Sequence, residues 1–376
     1  MNATAAPRPR GPAAPIPLTV LTGFLGAGKT TLLNRLLKDP ALAQAAVIIN
    51  EFGEIGLDHL LVEHLEDGVM LLATGCLCCT MRGDLVTTLE KLLRGLDNGR
   101  MSFNRVIIET TGLADPAPVL HTAMMHPYMV LRFRLDGVVT VVDAVNGLAT
   151  LDAHPEALKQ AAVADRIVLT KTDLLDGAAE AKAQLITRLK ALNPAAPVVE
   201  AANASVPQLI GCGLYDATAK IPDVKRWLSE ESYAAAHDGH HHHHNVNRHD
   251  DKIRAFTLAS ERAIPFSAFE MFLDLVRSMH GPNLLRVKGI VRLAETPDRP
   301  VVIHGVQHVF HPPVTLPAWP DEDRRTRLVF IVNGIPEAAI RDLFNAFLGL
   351  AQVDRPDRAA LTDNPLVPFG GADHLR

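Results

Sequence analysis

The sequence predicts an α/β protein: a mostly parallel sheet with helices on both faces, followed by a smaller α+β unit. Three observations carry that reading. Short continuous apolar runs alternate with helical stretches up to about residue 200, as strands buried on both faces and joined by crossover helices do. A polar, histidine-laden stretch then interrupts the pattern and cannot build a core. From Ile253 the pattern resumes with a strand, a helix, three further apolar strands and a closing helix, which reads as a small sheet with helices on one face.

Taken in order, the first run is Pro17-Leu18-Thr19-Val20-Leu21. It leads through Gly23, Gly26, Ala27 and Gly28 to Lys29, Thr30 and Thr31, and then into an amphipathic helix over Thr30–Lys38 with Leu32, Leu33, Leu36 and Leu37 at helical spacing. Two glycines with four residues between them, followed by Lys and Thr, form the phosphate-cradling pattern. Without a Cβ the loop can curl its N–H groups inward around an anion, and the helix start adds unpaired amides and a positive dipole end. Lys29 is placed to reach the β- and γ-phosphates, and the Thr30 hydroxyl to ligate Mg²⁺. An ordinary turn before a helix is the alternative, and the strand–loop–helix context argues against it.

The following strands are Ala46–Asn50, Val69–Ala73, Arg105–Glu109, Gly137–Asp143, the run from Arg166 that leads to Asp173, and the short Pro197–Val199, with a helix over Asp84–Arg94. In a parallel sheet ligands lie beyond the carboxyl ends of the strands, so the polar residues at those ends can share one crevice. Glu109 is placed to hold Mg²⁺ through water, and the Gly112 amide to sense a γ-phosphate. Capping the turn is the alternative for Glu109. Asp143 suits a turn or cap role as well as catalysis. Asp173 can accept from both N1–H and the exocyclic amine of guanine, a donor pair that adenine lacks, while the Lys171 stem covers the base.

Cys76, Cys78 and Cys79 put three soft thiolates within four residues, which suits Zn²⁺ or another borderline divalent ion. Such a short loop does not readily close a tetrahedron, so a further ligand is expected from Glu51 or Glu54. A thiol redox pair and apolar filler are the competing readings. The histidines from 237 to 249 read as a weak metal collector, a solvated linker or a tag remnant. Cys212 is taken as structural.

The whole chain bounds these readings. It has 376 residues, enough for two cores, and a net charge of −5, which argues against a nucleic-acid groove. No run of eighteen apolar residues suggests a membrane span. Four cysteines, three of them crowded together, are no disulfide framework, so a reducing cytoplasmic setting is expected. The expected organisation is a disordered leader over 1–15, a P-loop nucleotide-binding domain over 16–230, a His-rich linker over 231–251, a second domain over 252–350 and a tail over 351–376.

The stretches Gly23–Thr30, Asn50–Glu54, Gly75–Cys79 and Glu109–Pro116 resemble the CobW-like family of P-loop GTPases, which comprises metallochaperones and cobalamin-synthesis accessory proteins. The region from Ile253 to about Leu350 is similar to that family's second domain. The resemblance implies a GTPase that hydrolyses GTP with Mg²⁺, with Lys29, Thr30 and Glu109 in catalytic roles. It matches Cys78, Cys79 and Glu51 to metal-ligand positions, with Cys76 beside them, and makes Glu51–Asp58 a switch. The family's guanine motif begins with Asn where this chain has Thr170, a position that braces the phosphate loop, so the departure bears on base selectivity. The expected function is delivery of zinc to metal-requiring client proteins under GTP control, with slow turnover since no arginine finger is identifiable. Cobalt handling for cobalamin synthesis is the alternative cargo, and passive metal storage the alternative role. A P-loop kinase would need an acceptor pocket for which the sequence gives no sign. A homodimer is compatible with these readings.

Overall fold

The computed structural model describes residues 14–50, 62–64, 70–74, 81–175, 179–211 and 252–349. The first sheet contains β1 (Ile16–Gly23), β2 (Ala45–Asn50), β3 (Val62–His64), β4 (Met70–Thr74), β5 (Arg105–Glu109), β6 (Phe133–Asp143), β7 (Arg166–Thr170) and β8 (Val198–Glu200). Their spatial order is β3-β4-β2-β5-β1-β6-β7-β8, and every neighbouring pair is parallel except β3–β4.

The connecting helices are α1 (Lys29–Leu36), α2 (Met81–Asp97), α3 (Ala117–Met125), α4 (Met129–Arg132), α5 (Gly147–Ala153), α6 (Pro155–Ala162), α7 (Ala179–Leu192) and α8 (Val206–Leu209). Side chains of β5 alternate between two cores, as a strand's period of two requires. Val106 and Ile108 pack with Leu85, Leu89 and Leu92 of α2, whereas Ile107 packs with Leu32, Leu33 and Leu36 of α1. Each fully buried leucine contributes roughly 1.5–3 kcal/mol relative to exposure. The continuous apolar reading of these strands is thereby explained, since both faces are covered.

The second sheet is antiparallel, with β9 (Ile253–Ser260), β10 (Leu284–Val291), β11 (Val301–Val306), β12 (Val309–Phe310), β13 (Val314–Thr315) and β14 (Thr326–Asn333). Its order is β12-β11-β10-β14-β9, with β13 on β11. Helices Phe266–His280 and Glu337–Phe347 share one core with one face of this sheet, where the Phe272 ring meets Phe330 at 6.4 Å and Phe344 at 5.3 Å. On the other face Leu285 and Ile331 pack with Leu158 and Ala161 of α6 and with Leu185 and Leu189 of α7.

Between the two sheets lies a sealed charge cluster. The register of β10 shifts between Leu284 and Arg286, so Leu285 and Arg286 both avoid the sheet's own core. Arg286 and Lys288 then meet Asp165, which is 1% exposed and immediately precedes β7. The other Asp165 oxygen accepts from Val138 N at 2.9 Å, and Arg286 also donates to the Val163 carbonyl at the end of α6. His304 Nε2 lies 2.9 Å from Arg286, and since arginine can only donate, that imidazole accepts and is neutral. Its ring sits 4.9 Å from that of His311.

Several sequence expectations need adjusting. The first helix runs Lys29–Leu36 with Leu37 as its cap, two residues short of Lys38. The run toward Asp173 ends as a strand at Thr170, because Lys171 adopts a left-handed φ of 57° and a 3-10 turn follows. Of the three further apolar strands expected in the second unit, the one read over Val301–Phe310 is a tight hairpin, turning at Gln307 and His308 with Val306 paired to Val309. Strand β6 begins at Phe133, ahead of Gly137, with Asp136 as an extra residue opposite the Leu18–Thr19 step of β1. That aspartate accepts from Thr19 Oγ1 at 3.1 Å and Gly211 N at 2.8 Å, and it pairs with Arg105. The strand β3 has no counterpart among the expected elements.

Candidate functional site

Strand β1 delivers the phosphate loop to the carboxyl edge of the sheet. Gly28 caps α1 with φ 89°, a conformation costly for any residue with a Cβ, and the curled loop brings the Ala27 N–H to the Phe24 carbonyl at 3.1 Å. Gly23 and Gly26 also take positive φ within it. Lys29 folds back, its ammonium donating to the carbonyls of Gly23 at 3.0 Å and Phe24 at 3.2 Å. Burial pushes the Lys29 pKa below its ordinary value, and Glu109 opposes that shift. Such an ammonium is cradled by carbonyl dipoles and gains a full counter-charge when an anion enters the loop. Thr30 and Thr31 sit on the first turn of α1 with exposed side chains.

The adjacent strand β5 ends at Glu109, which is 4% exposed. Its carboxylate accepts from Thr30 Oγ1 at 2.7 Å, so the two predicted Mg²⁺ groups face each other across the loop. A hydroxyl and a carboxylate are the hard oxygen donors Mg²⁺ takes, and the pair fits that ion. Past Glu109, Thr110 N bonds the Leu21 carbonyl and Thr110 Oγ1 bonds Thr22 Oγ1 at 2.8 Å, locking the two strand ends together. Gly112 then lies so near the phosphate loop that a Cβ there would meet Leu25 N at 2.6 Å.

The residues expected on the base side follow β7. Thr170 Oγ1 donates to the Ala27 carbonyl at 2.6 Å and reaches the Val142 carbonyl at 3.3 Å. A hydroxyl therefore braces the phosphate loop at the position where an asparagine was the expected brace. Lys171 pairs with Asp143 at 2.7 Å, and Asp173 is exposed on the following 3-10 turn. Asp143 also accepts from Val145 N at 2.8 Å and Asn146 N at 3.2 Å, so it caps a turn. Burial works to raise its pKa, yet Lys171 and these N–H donors hold it below the usual carboxylate value. Beneath the loop a cavity of about 280 Å³ is lined by Phe24, Leu25, Asp143, Thr150, Gln160 and Lys171. The Phe24 ring stacks on His154 at 4.4 Å and fixes the outer flank of the loop.

Cys76, Cys78, Cys79, Glu51 and Glu54 lie outside the described residues, as do the Glu51–Asp58 segment, Cys212 and the histidine run. Among the described residues there is no cluster of three or more His, Cys, Asp or Glu that could hold a metal ion. The strands leading to those segments are described. Ile49 of β2 is level with Glu109 of β5, and Asn50 is level with Thr74 of β4. The chain thus leaves β2 one residue before Glu51, and β4 two residues before Cys76, on the edge that carries Glu109 and the phosphate loop. No described helix is long and apolar enough to cross a membrane.

Two features of this region escaped the sequence reading. Gln160 of α6, 1% exposed, donates to the carbonyls of Gly112 at 3.2 Å and Ala114 at 3.0 Å. The only local signal was an amide in an alanine- and leucine-rich helix. The Asp165 cluster was signalled only by Arg286 and Lys288 inside an otherwise apolar strand.

Comparison with known proteins finds relatives that span both units. Residues 17–200 match the CobW/HypB/UreG nucleotide-binding domain, and residues 253–348 match the cobalamin synthesis protein cobW C-terminal domain. The zinc chaperone YjiA of Escherichia coli is 34% identical over 330 residues, spanning 88% of this chain and 98% of its own. The zinc chaperone CobW of Pseudomonas aeruginosa is 32% identical over 359 residues, covering 87% and 90% respectively. A crystal structure of the E. coli YjiA GTPase with Zn(II) bound superposes with a TM-score of 0.67 at 29% identity, covering 90% of this chain and 100% of that one.

Proposed function

The chain belongs to the CobW family of nucleotide-binding proteins, and from that premise we propose that it is a cytoplasmic GTP hydrolase that loads zinc into client proteins under nucleotide control. The observation that carries the reading is a shared edge: Thr30 and Glu109 meet at 2.7 Å where β2 and β4 lead into Glu51 and Cys76. Relatives that are named zinc chaperones support the choice of ion.

In this mechanism Lys29 exchanges its carbonyl partners for the β- and γ-phosphates, and the loop amides around Gly26, Ala27 and Gly28 wrap the anion. Thr30 and Glu109 hold Mg²⁺, which supplies neutralisation of phosphate charge. Asp173 reads the guanine edge and Lys171 covers the ring, while Thr170 keeps the loop and the base segment in register. The Gly112 amide senses the γ-phosphate. Ordering of Glu51–Asp58 against that phosphate brings Glu51 to Cys76, Cys78 and Cys79, which hold zinc as cargo. Hydrolysis releases the segment, opens the ligand set and lets a docked client take the ion.

Zinc affinity measured with a non-hydrolysable GTP analogue and with GDP tests this directly. The expected result is zinc binding tighter by about tenfold or more in the analogue complex, within the usual range of coupling between sites. Equal affinities in the two complexes overturn the chaperone switch and leave a storage protein. Asp173→Asn is expected to abolish the preference for GTP over ATP, and a preference that survives the substitution removes the base assignment.

A further inference from the structure

We propose that Gln160 is a positioning residue for GTP turnover, and that through α6 it ties the γ-phosphate-sensing turn to the second domain. This rests on the GTP-switch reading above. The turn Gly112–Ala114 is clamped from two sides. Leu25 of the phosphate loop presses on Gly112, and the Gln160 amide donates to the Gly112 and Ala114 carbonyls. The Gly112 and Ala114 carbonyls share their peptide planes with the Leu113 and Asp115 N–H groups, and with Leu25 against Gly112 the short turn is left little freedom, so Gln160 helps set where the turn presents its amides.

The geometry does not look like packing for stability. Gln160 Oε1 is buried and has no hydrogen-bond partner among the described residues. An unmet buried acceptor is a cost that an apolar side chain of similar size would avoid. What the amide adds in return is the pair of bonds to the turn.

The same helix is gripped elsewhere. The Gln160 carbonyl accepts from Thr140 Oγ1 of β6 at 2.7 Å, which pins this point of α6 to the first sheet. Three residues on, the Val163 carbonyl accepts from Arg286, and Asp165 is held by Arg286 and Lys288 of β10. One short rigid element therefore carries the turn on its side and the second domain at its end. A γ-phosphate bonded to the turn demands that the turn keep this position, which it can leave only by breaking the Gln160 bonds or moving α6 against Arg286. GDP, which has no γ-phosphate, makes no such demand.

The test uses the full chain, with affinities for GDP and for a non-hydrolysable GTP analogue measured alongside GTP hydrolysis. Gln160→Ala should leave GDP affinity within about twofold and weaken the analogue about tenfold, with at least an equal fall in kcat, since ordering of the turn then falls to the ligand alone. Gln160→Leu, which keeps the volume, should do the same and serves where the alanine variant fails to fold. Loss of thermal stability with both nucleotides affected equally overturns the positioning role, as does no change in either. Arg286→Gln touches no nucleotide contact and should shift the ratio of analogue to GDP affinity. A ratio equal to the parent's overturns the tie to the second domain. Failure of the parent chain to prefer GTP, visible before any variant is made, would instead sink the GTPase reading.

Discussion

Glu109 and Asp165 are both buried carboxylates beside basic side chains, and they are arranged to opposite ends. Glu109 faces an edge where its partner is the Thr30 hydroxyl and where Lys29 spends its charge on backbone carbonyls. Asp165 is sealed between two sheets, ion-paired with Arg286 and Lys288 and bonded by Val138 N. The first arrangement uses weak, exchangeable partners that a ligand can replace. The second uses charged partners that nothing can replace once they are dry. Burial alone does not set the two carboxylates apart; what differs is whether their basic neighbours are held by charge or by backbone carbonyls.

That contrast can be broken most sharply at Asp165. Asp165→Ala strands Arg286 and Lys288 in a dry interface and should cost about 3–5 kcal/mol, the range for removing one partner of a buried pair. Denaturant unfolding checks this, and a loss below about 1 kcal/mol would mean that the cluster does not hold the interface. Lys29→Ala is the counterpart at the open edge. Hydrolysis should fall about 10²–10³-fold, as for loss of one preorganised charge-stabilising donor, while unfolding free energy barely moves. A variant that loses stability and keeps turnover would reverse the assignment of the two regions.

Acid sharpens the comparison further. Burial, then the nearby Arg286, pushes His304 well below its ordinary value; His311, depressed mainly by burial against the opposing pull of Asp165, falls to about 4. Between pH 6.5 and 4 the unfolded chain therefore binds protons that the folded chain refuses, so stability is present above that window and lost as pH falls through it. For His311 alone the loss is about 3 kcal/mol. Burial opposes ionisation of Asp165, but Arg286 and Lys288 hold its pKa well below the usual range, so its share goes only at still lower pH. Thermal unfolding at pH 7, 5.5 and 4.5 with His311→Gln, whose pH dependence should be shallower, measures this. The smallest effect is at Thr170. Thr170→Val removes the hydroxyl that braces Ala27 and should weaken nucleotide binding by about 1 kcal/mol, roughly fivefold, read from the GDP dissociation constant.

The phosphate loop, Glu109, Lys171 and Asp173 were legible because each rests on local spacing at the end of an apolar run. Cys76, Cys78 and Cys79 lie outside the described residues, and their metal-binding role is part of the proposal. Thr170 looked like a departure in the sequence, since a one-dimensional motif records residue type and not the atom that makes the bond. Its hydroxyl reaches the loop carbonyl across 143 positions of chain.

The chain by itself determined the parallel sheet, the phosphate cradle and the presence of a second unit, because hydrophobic period and glycine placement act over a few residues. Tertiary structure decided which charges are sealed and which stay poised. Asp165 meets Arg286 from 121 residues away, and Gln160 reaches Gly112 from 48. Those pairings depend on how helices settle on sheets and on one shifted register in β10. A bulge of one residue turns a basic side chain from one face to the other, and local periodicity holds no record of it.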